Sequence, residues 1–208
     1  MAVITISREE GSNGDEIASL LCDHLGYCSV DKSMLTQIAQ EAGINVEAVL
    51  AKEREVANKP RLISGQMTSL YGRKPSAFGK SGGMDDQTYA RIVREAMERF
   101  AGEGNAVILG RGGQIVLRDW PTALHVHLYA PLPVRIERLQ ERHQISELEA
   151  KRRISGSDER KRWYVRQAHG NANWKDLKHY HLAINTATIS PETAAKMITQ
   201  AAKSLDQE

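Results

Sequence analysis

Along this chain short apolar runs alternate with longer stretches in which apolar side chains recur every three or four positions. Residues 2–7, AVITIS, are rich in β-branched side chains and too short for a stable helix, which predicts a buried strand. Over 14–25, GDEIASLLCDHL, the residues Ile17, Leu20, Leu21, His24 and Leu25 share one helical face, and Gly26 supplies the stop. The alternation continues downstream. A helix over 87–102 leads into a strand in NAVILG (105–110), and a further strand is predicted in LHVHLYA (124–130). Pro131 and Pro133 suit a helix start, and VRIERLQERH continues from them as a basic amphipathic helix. HLAINT (181–186) reads as the last strand, and 190–205 as a closing helix with Ser190 as cap and Pro191 in its first turn. Two segments depart from this rhythm. Residues 33–58 read as two helical pieces separated around Gly43-Ile44-Asn45, with mixed charges outside and a solvated, mobile character. From Lys59 to Asp86 periodicity fades, and Gly72, Gly79, Gly82 and Gly83 stand among Arg73, Lys74 and Lys80, as in a long flexible connection.

Strands that are apolar on both faces and alternate with helices predict an α/β protein whose parallel sheet is covered on each side. In such sheets ligands collect at the carboxyl ends of the strands. The turn after residue 7, the Gly110-Arg111 junction and the segment after Ala130 are therefore expected to converge. With 208 residues the expectation is one domain, 1–208, carrying insertions. Lys and Arg total 28 against 26 Asp and Glu, a net +2 that gives no general reason to expect a nucleic-acid or membrane partner, so anion binding must be local. Two cysteines, Cys22 and Cys28, form neither a disulfide framework nor a zinc spacing. The absence of a leader and of any apolar run near the roughly 20 residues needed to span a bilayer points to a cytoplasmic protein.

The first strand, turn and helix, ITISREEGSNGDEIASLL, aim backbone N–H groups and a positive helix end at one point, as a phosphate cradle does. The same geometry also describes an ordinary strand-to-helix turn in which Gly11 and Gly14 permit a tight bend. The P-loop pattern G-x-x-x-x-G-K-[ST] fails here: Gly14 stands where the lysine belongs and Asp15 where the magnesium-binding hydroxyl belongs. On this stretch only Arg8 carries positive charge. Either another segment supplies cations, or nucleotide binding persists without catalysis.

Other segments offer that charge. KRRISGSDERKRWYVRQ (151–167) reads as a solvated helix face or as a basic lid that closes on a polyphosphate. Arg111, within GRGG after an apolar strand, suits an anionic substrate group. His125 and His127 alternate on one strand and read as structural histidines rather than an H-x-H metal pair, and the same holds for His179 and His181. Trp163, Tyr164, Trp174 and Tyr180 interleave with basic residues, and packing accounts for them better than a single-strand nucleic-acid platform.

Taken together, ITISREEGSNGDEIASLL, LGY, VILGRGGQIVL, LHVHLYAPLPVRIERL, DERKRWYV and HLAINTATIS resemble the cytidylate kinase-like family, a branch of the P-loop nucleoside monophosphate kinases. The resemblance spans nearly the whole chain and is poorest over 45–85. It implies a P-loop NTPase-type three-layer sandwich with a five-stranded parallel sheet, a core of 1–30 and 86–208, a helical monophosphate-binding insertion over 31–85, and a lid over 143–176. Many members of this branch lack the P-loop lysine and carry a GSGGRE-like loop; here Asn13 replaces a glycine and Asp15 the arginine. Carried over residue by residue, Arg8, Gly11, Ser12, Asn13, Gly14 and Asp15 correspond to the phosphate loop, with Ser12 also near a metal. Asp31 opens the substrate insertion and Arg111 lies near the acceptor phosphate. Asp158 and Arg162 resemble the lid's paired acid and arginine, with Arg153 a further catalytic candidate, and Asn185 and Thr186 border the nucleotide base. The implied activity is ATP- and Mg2+-dependent phosphoryl transfer to a nucleoside monophosphate such as CMP or dCMP. The alternative is a nucleotide-binding regulatory module that has lost the chemistry.

Overall fold

The computed structural model describes residues 2–30, 45–58, 84–170 and 172–205. Five parallel strands, β1 (Val3–Arg8), β2 (Cys28–Val30), β3 (Ala106–Leu109), β4 (Ala123–Tyr129) and β5 (Leu182–Asn185), lie in the order β2-β3-β1-β4-β5. The register sets Val3 beside both Ala106 and Ala123, so the carboxyl ends of β1, β3 and β4 open on one edge. Four of these strands were legible as apolar runs. β2 was not: CSV is three residues long, its first two positions are exposed, and it forms by pairing with β3 rather than by its own pattern.

Successive side chains leave the sheet on opposite faces, and each face has its own core. On one face Ile4, Ile6, Val107, Val126, Leu128 and Ile184 meet Ile17 and Leu21 of helix α1 (Gly14–Leu25) and Ala194 and Ile198 of α7 (Pro191–Leu205). Fully buried Ile and Leu side chains contribute about 1.5–3 kcal/mol each, so α1 is anchored independently of any ligand. On the other face Val3, Ala106 and Ile108 meet Val49 of α2 (Val46–Asn58), Ile92 and Met97 of α3 (Asp86–Glu103), and Tyr164, Val165 and Trp174. Tyr164 and Val165 belong to α6 (Glu147–Ala168), which also packs Ala150 and Ile154 on Ile136 and Leu139 of α5 (Leu132–His143). A short α4 (Gly113–Val116) follows β3.

Caps fix the helix ends close to where the sequence placed them. Gly26 closes α1 at φ 67°, and the Asp85 carboxylate accepts from the Thr88 N–H at 2.7 Å to open α3. The Asn45 side chain accepts from the Glu47 and Ala48 N–H groups, which accounts for the expected break near that residue. Residues 46–58 are nevertheless not simply solvated. Val49 is 1% exposed, and Lys52, itself buried, pairs with Asp86 at 2.6 Å, so α2 is pinned to the start of α3. The expected first helical piece and most of the long connection over 59–86 lie outside the described residues. No helix among the described residues is long and apolar enough to cross a membrane.

Candidate active site

A cavity of about 540 Å3 opens where the strands end. Ser7 and Arg8 reach it from β1, Ser29 and Val30 from β2, Leu109 to Gly112 and Gln114 from the end of β3, Val93 and Met97 from α3, and Arg160, Lys161 and Tyr164 from α6. Among the described residues its lining holds four cations, Arg8, Arg111, Arg160 and Lys161, against one carboxylate, Asp15. That surplus suits a phosphorylated ligand.

The glycine at the missing lysine's position has a physical reason. A Cβ at Gly14 would lie 2.5 Å from both Cβ and Cγ of Arg8, whose aliphatic stem runs through that space. Farther on, the Arg8 guanidinium passes Gly110, where a Cβ would come within 2.8 Å of Nη1. Arg8 Nε donates to Asp15 Oδ1 at 3.1 Å, which turns the first carboxylate of α1 toward this arginine. A lysine at 14 and an arginine at 8 are therefore alternatives for one space.

Within the turn, Gly11 (φ 82°) and Asn13 (φ 57°) adopt left-handed backbone. A Cβ on Gly11 would lie 2.8 Å from the Arg135 carbonyl, so the loop rests directly on α5. Ser12 is fully buried and its hydroxyl donates to the Glu9 carbonyl at 2.8 Å, which closes the turn. Three arginines of α5 hold the loop from outside. Arg135 Nε donates to the Glu10 carbonyl at 2.6 Å, Arg138 Nη1 to the Gly11 carbonyl at 3.3 Å, and Arg142 Nη2 to Asn13 Oδ1 at 3.3 Å.

Buried charges tie this loop to α6. Arg135, 4% exposed, stands between Glu9 Oε2 at 3.1 Å and Asp158 Oδ1 at 3.2 Å, and Lys175 bridges the same two carboxylates from the far side. Two cations thus face two carboxylates, the arrangement in which burying ions is tolerable. Next to it Glu10 accepts from Arg153 Nε at 3.1 Å and from Ser157 Oγ at 3.2 Å, and Lys161 Nζ donates to Ser157 Oγ at 3.0 Å. Burial, with Arg8 nearby, pushes the Lys161 ammonium down to about 8, against the opposing pull of Glu10 and Asp158.

The structure therefore brings together Arg8, Gly11, Asn13, Gly14, Asp15, Arg153 and Asp158 around the loop, and sets Arg111 in the same cavity. The expected pairing of Asp158 with Arg162 is not formed: Asp158 is taken by Arg135 and Lys175, while Arg162 is exposed and paired with Glu159 at 2.6 Å. Thr186 is 1% exposed and holds Arg138, and Asn185 Oδ1 accepts from the Ala187 N–H, so both shape the loop after β5. Asp31 lies outside the described residues. Residue-type reasoning missed Glu9, Glu10, Arg135, Arg138 and Lys175, and it took in Lys161 only as one cation of the basic run 151–167. A signal for two of them was present, since Arg135, Arg138 and Arg142 recur at i, i+3 and i+7 on one face of α5.

Arg111 projects from a run of three left-handed residues, Gly110, Arg111 and Gly112, and donates to the Tyr89 hydroxyl. Gly112 is required by His169, whose Nε2 would lie 2.4 Å from a Cβ there. His125 and His127 sit in the core. His125 Nδ1 lies 2.7 Å from Thr5 Oγ1 and its ring stacks on His181, while His127 packs against Trp174, Tyr180 and Tyr129. Burial pushes both imidazoles down to about 4, so they are neutral packing groups at physiological pH.

Residues 3–188 match the cytidylate kinase-like family. The chain is 27% identical over 205 residues to a cytidylate kinase of Pyrococcus horikoshii, covering 98% of this chain and 90% of that one. It is 28% identical over 199 residues to a cytidylate kinase of Ignicoccus hospitalis, covering 95% and 97%. Among solved structures, an uncharacterized protein from Eubacterium ventriosum superimposes with a TM-score of 0.68 at 19% identity over 98% of this chain and 99% of that one. A shikimate kinase from Bacteroides thetaiotaomicron does so with a TM-score of 0.51 at 12% identity over 97% and 98%. These two likenesses show the shared α/β fold. A match that starts in β1 and runs past β5 takes in the whole sheet and the loops that frame the cavity, and the chain belongs to the cytidylate kinase-like family.

Proposed function

We propose that this chain transfers the γ-phosphoryl group of ATP to a nucleoside monophosphate, with CMP or dCMP as the leading acceptors, in a cytoplasmic setting. The observation that carries this reading is the delivery of cations to the lysine-free loop. Arg8 fills the space above Gly14, and Lys161 reaches the loop's edge from α6 through Ser157 and Glu10. A protein that had merely lost its lysine would have no reason to converge replacements on the same point, which weighs against the binding-module alternative.

In this reading the donor's phosphates lie along the backbone N–H groups of the turn and the start of α1. Arg8, Arg160 and Lys161 offset the charge that spreads over the transferred group. An oxygen of the acceptor phosphate bonds to the γ-phosphorus as the bond to the β,γ-bridging oxygen breaks, and ADP leaves with that electron pair. The acceptor oxygen is already ionised, so no general base is needed. Arg111, steadied by Tyr89, orients the acceptor phosphate. Asp15, exposed and on the cavity wall, is the carboxylate that would hold magnesium together with the donor's phosphates, and Ser12, enclosed in the turn, is not. Magnesium supplies neutralisation of the donor's charge when bound. Because Arg135 and Lys175 join α6 to the loop, closure of α6 and the shape of the loop are mechanically coupled.

A coupled assay of ADP release with ATP, Mg2+ and a panel of nucleoside monophosphates tests this reading. Acceptor-dependent ADP formation is expected. Tight ATP binding by calorimetry with no turnover on any acceptor would identify a binding module instead.

A further inference from the structure

Gln114, the second residue of α4, is 2% exposed and lines the cavity. Its amide makes no hydrogen bond to any other described residue. Trp174, whose Nε1 is likewise unpartnered, lines the same cavity. A buried amide without a protein partner is costly unless something else satisfies it, and here the residue that carries it lines the ligand space. The surroundings say what kind of group that is. The cations at Arg8, Arg111 and Lys161 account for phosphate, Val30, Val93 and Met97 offer an apolar wall suited to a flat ring, and Gln114 supplies an uncharged donor and acceptor beside it.

We infer that Gln114 is the specificity-determining residue that reads the 4-position of a pyrimidine acceptor, and that it accepts cytosine and uracil alike. An amide presents an oxygen in one orientation and an N–H in the other. The oxygen meets the N4–H donor of cytosine, and after a turn of the amide the N–H meets the O4 acceptor of uracil. A carboxylate or an ammonium at this position would choose between them; a glutamine does not. This inference rests on the acceptor proposed above and adds to it the range of bases.

Steady-state kinetics of the whole chain with ATP and Mg2+ test it, with CMP, UMP and the 5′-monophosphate of pyrimidin-2-one riboside, which lacks the 4-substituent, as acceptors. In the unaltered protein kcat/KM for CMP and UMP should agree within about tenfold. Gln114→Leu should raise KM for both by about tenfold and leave KM for ATP unchanged, and its penalty should shrink below about twofold for the pyrimidin-2-one acceptor. Gln114→Met, matched in length, carries the same comparison should the leucine variant fail to fold. An equal penalty on all three acceptors, a silent substitution, or a CMP preference above about a hundredfold in the unaltered protein overturns the inference while leaving nucleotide phosphorylation standing. Failure to bind or phosphorylate any nucleoside monophosphate overturns the acceptor reading, and this inference with it.

Discussion

If Lys161 supplies the charge that the loop lacks, its protonation must show in the rate. Its ammonium, partly buried beside Ser157, is pushed down to about 8 from an ordinary value of 10.5, first by burial and then by Arg8. A lysine at that value is about nine-tenths charged at pH 7 and about one-tenth charged at pH 9. The charged form is the one that attracts phosphate, so function is lost as pH rises through about 8 rather than through 10.5. Bound polyphosphate favours the ammonium and lifts its pKa in the complex. The loss therefore belongs to kcat/KM for ATP, which reports the free enzyme, and not to kcat. The expectation is a drop of roughly tenfold in kcat/KM between pH 7 and 9, with kcat steady within about twofold. Neighbouring groups do not imitate this limb: burial lifts Tyr180 to about 12 and lowers His127 to about 4. The acceptor's own phosphate, with a second ionisation near about 6, is already charged. Lys161→Arg, ionised throughout, should keep activity and abolish the limb, while Lys161→Met should lose about 10²–10³ in kcat/KM at pH 7. A flat profile in the unaltered protein, or a limb that survives in Lys161→Arg, refutes the reasoning.

Arg135→Met leaves Glu9 and Asp158 with Lys175 as their shared partner, and should destabilise the fold by about 3–5 kcal/mol, which thermal denaturation reads as a fall of roughly 6–20 °C. Gly14→Lys, the apparent repair of the loop, should lower both turnover and stability, the latter by about 1–3 kcal/mol, because its Cβ meets the stem of Arg8; a stable and faster variant would show that Arg8 moves aside freely. Arg160→Met, on the cavity wall, should reduce kcat/KM for ATP by more than about tenfold, whereas Arg162→Met, paired with Glu159 at the surface, should change it by less than about twofold.

The contrast between Arg160, Lys161 and Arg162 marks the border of what the sequence disclosed. The sheet was readable because buried parallel strands are continuous apolar runs, and β1, β3, β4 and β5 each lie within a residue or so of where those runs stand. The segment from 151 to 167 was recognisably basic, but composition does not say which cations face inward. Spacing does. Ala150, Ile154, Ser157, Lys161, Tyr164 and Ala168 fall four, three, four, three and four residues apart, the rhythm of one helix face, and the apolar members of that series fix its inward phase. A lysine in register with Ile154 and Tyr164 must share their burial, which is why its ammonium is desolvated and held by Ser157 while Arg162 turns to solvent. What spacing could not reveal is Arg8. Its path depends on two glycines, Gly14 and Gly110, that are 96 positions apart in sequence and are brought together only when β1 pairs with β3. Read as a damaged phosphate loop, SREEGSNGD lacks the lysine and keeps only Arg8 as a cation; folded, it has exchanged a lysine inside the turn for that arginine laid across it, and the exchange depends above all on Gly14, where a Cβ would meet the arginine's stem.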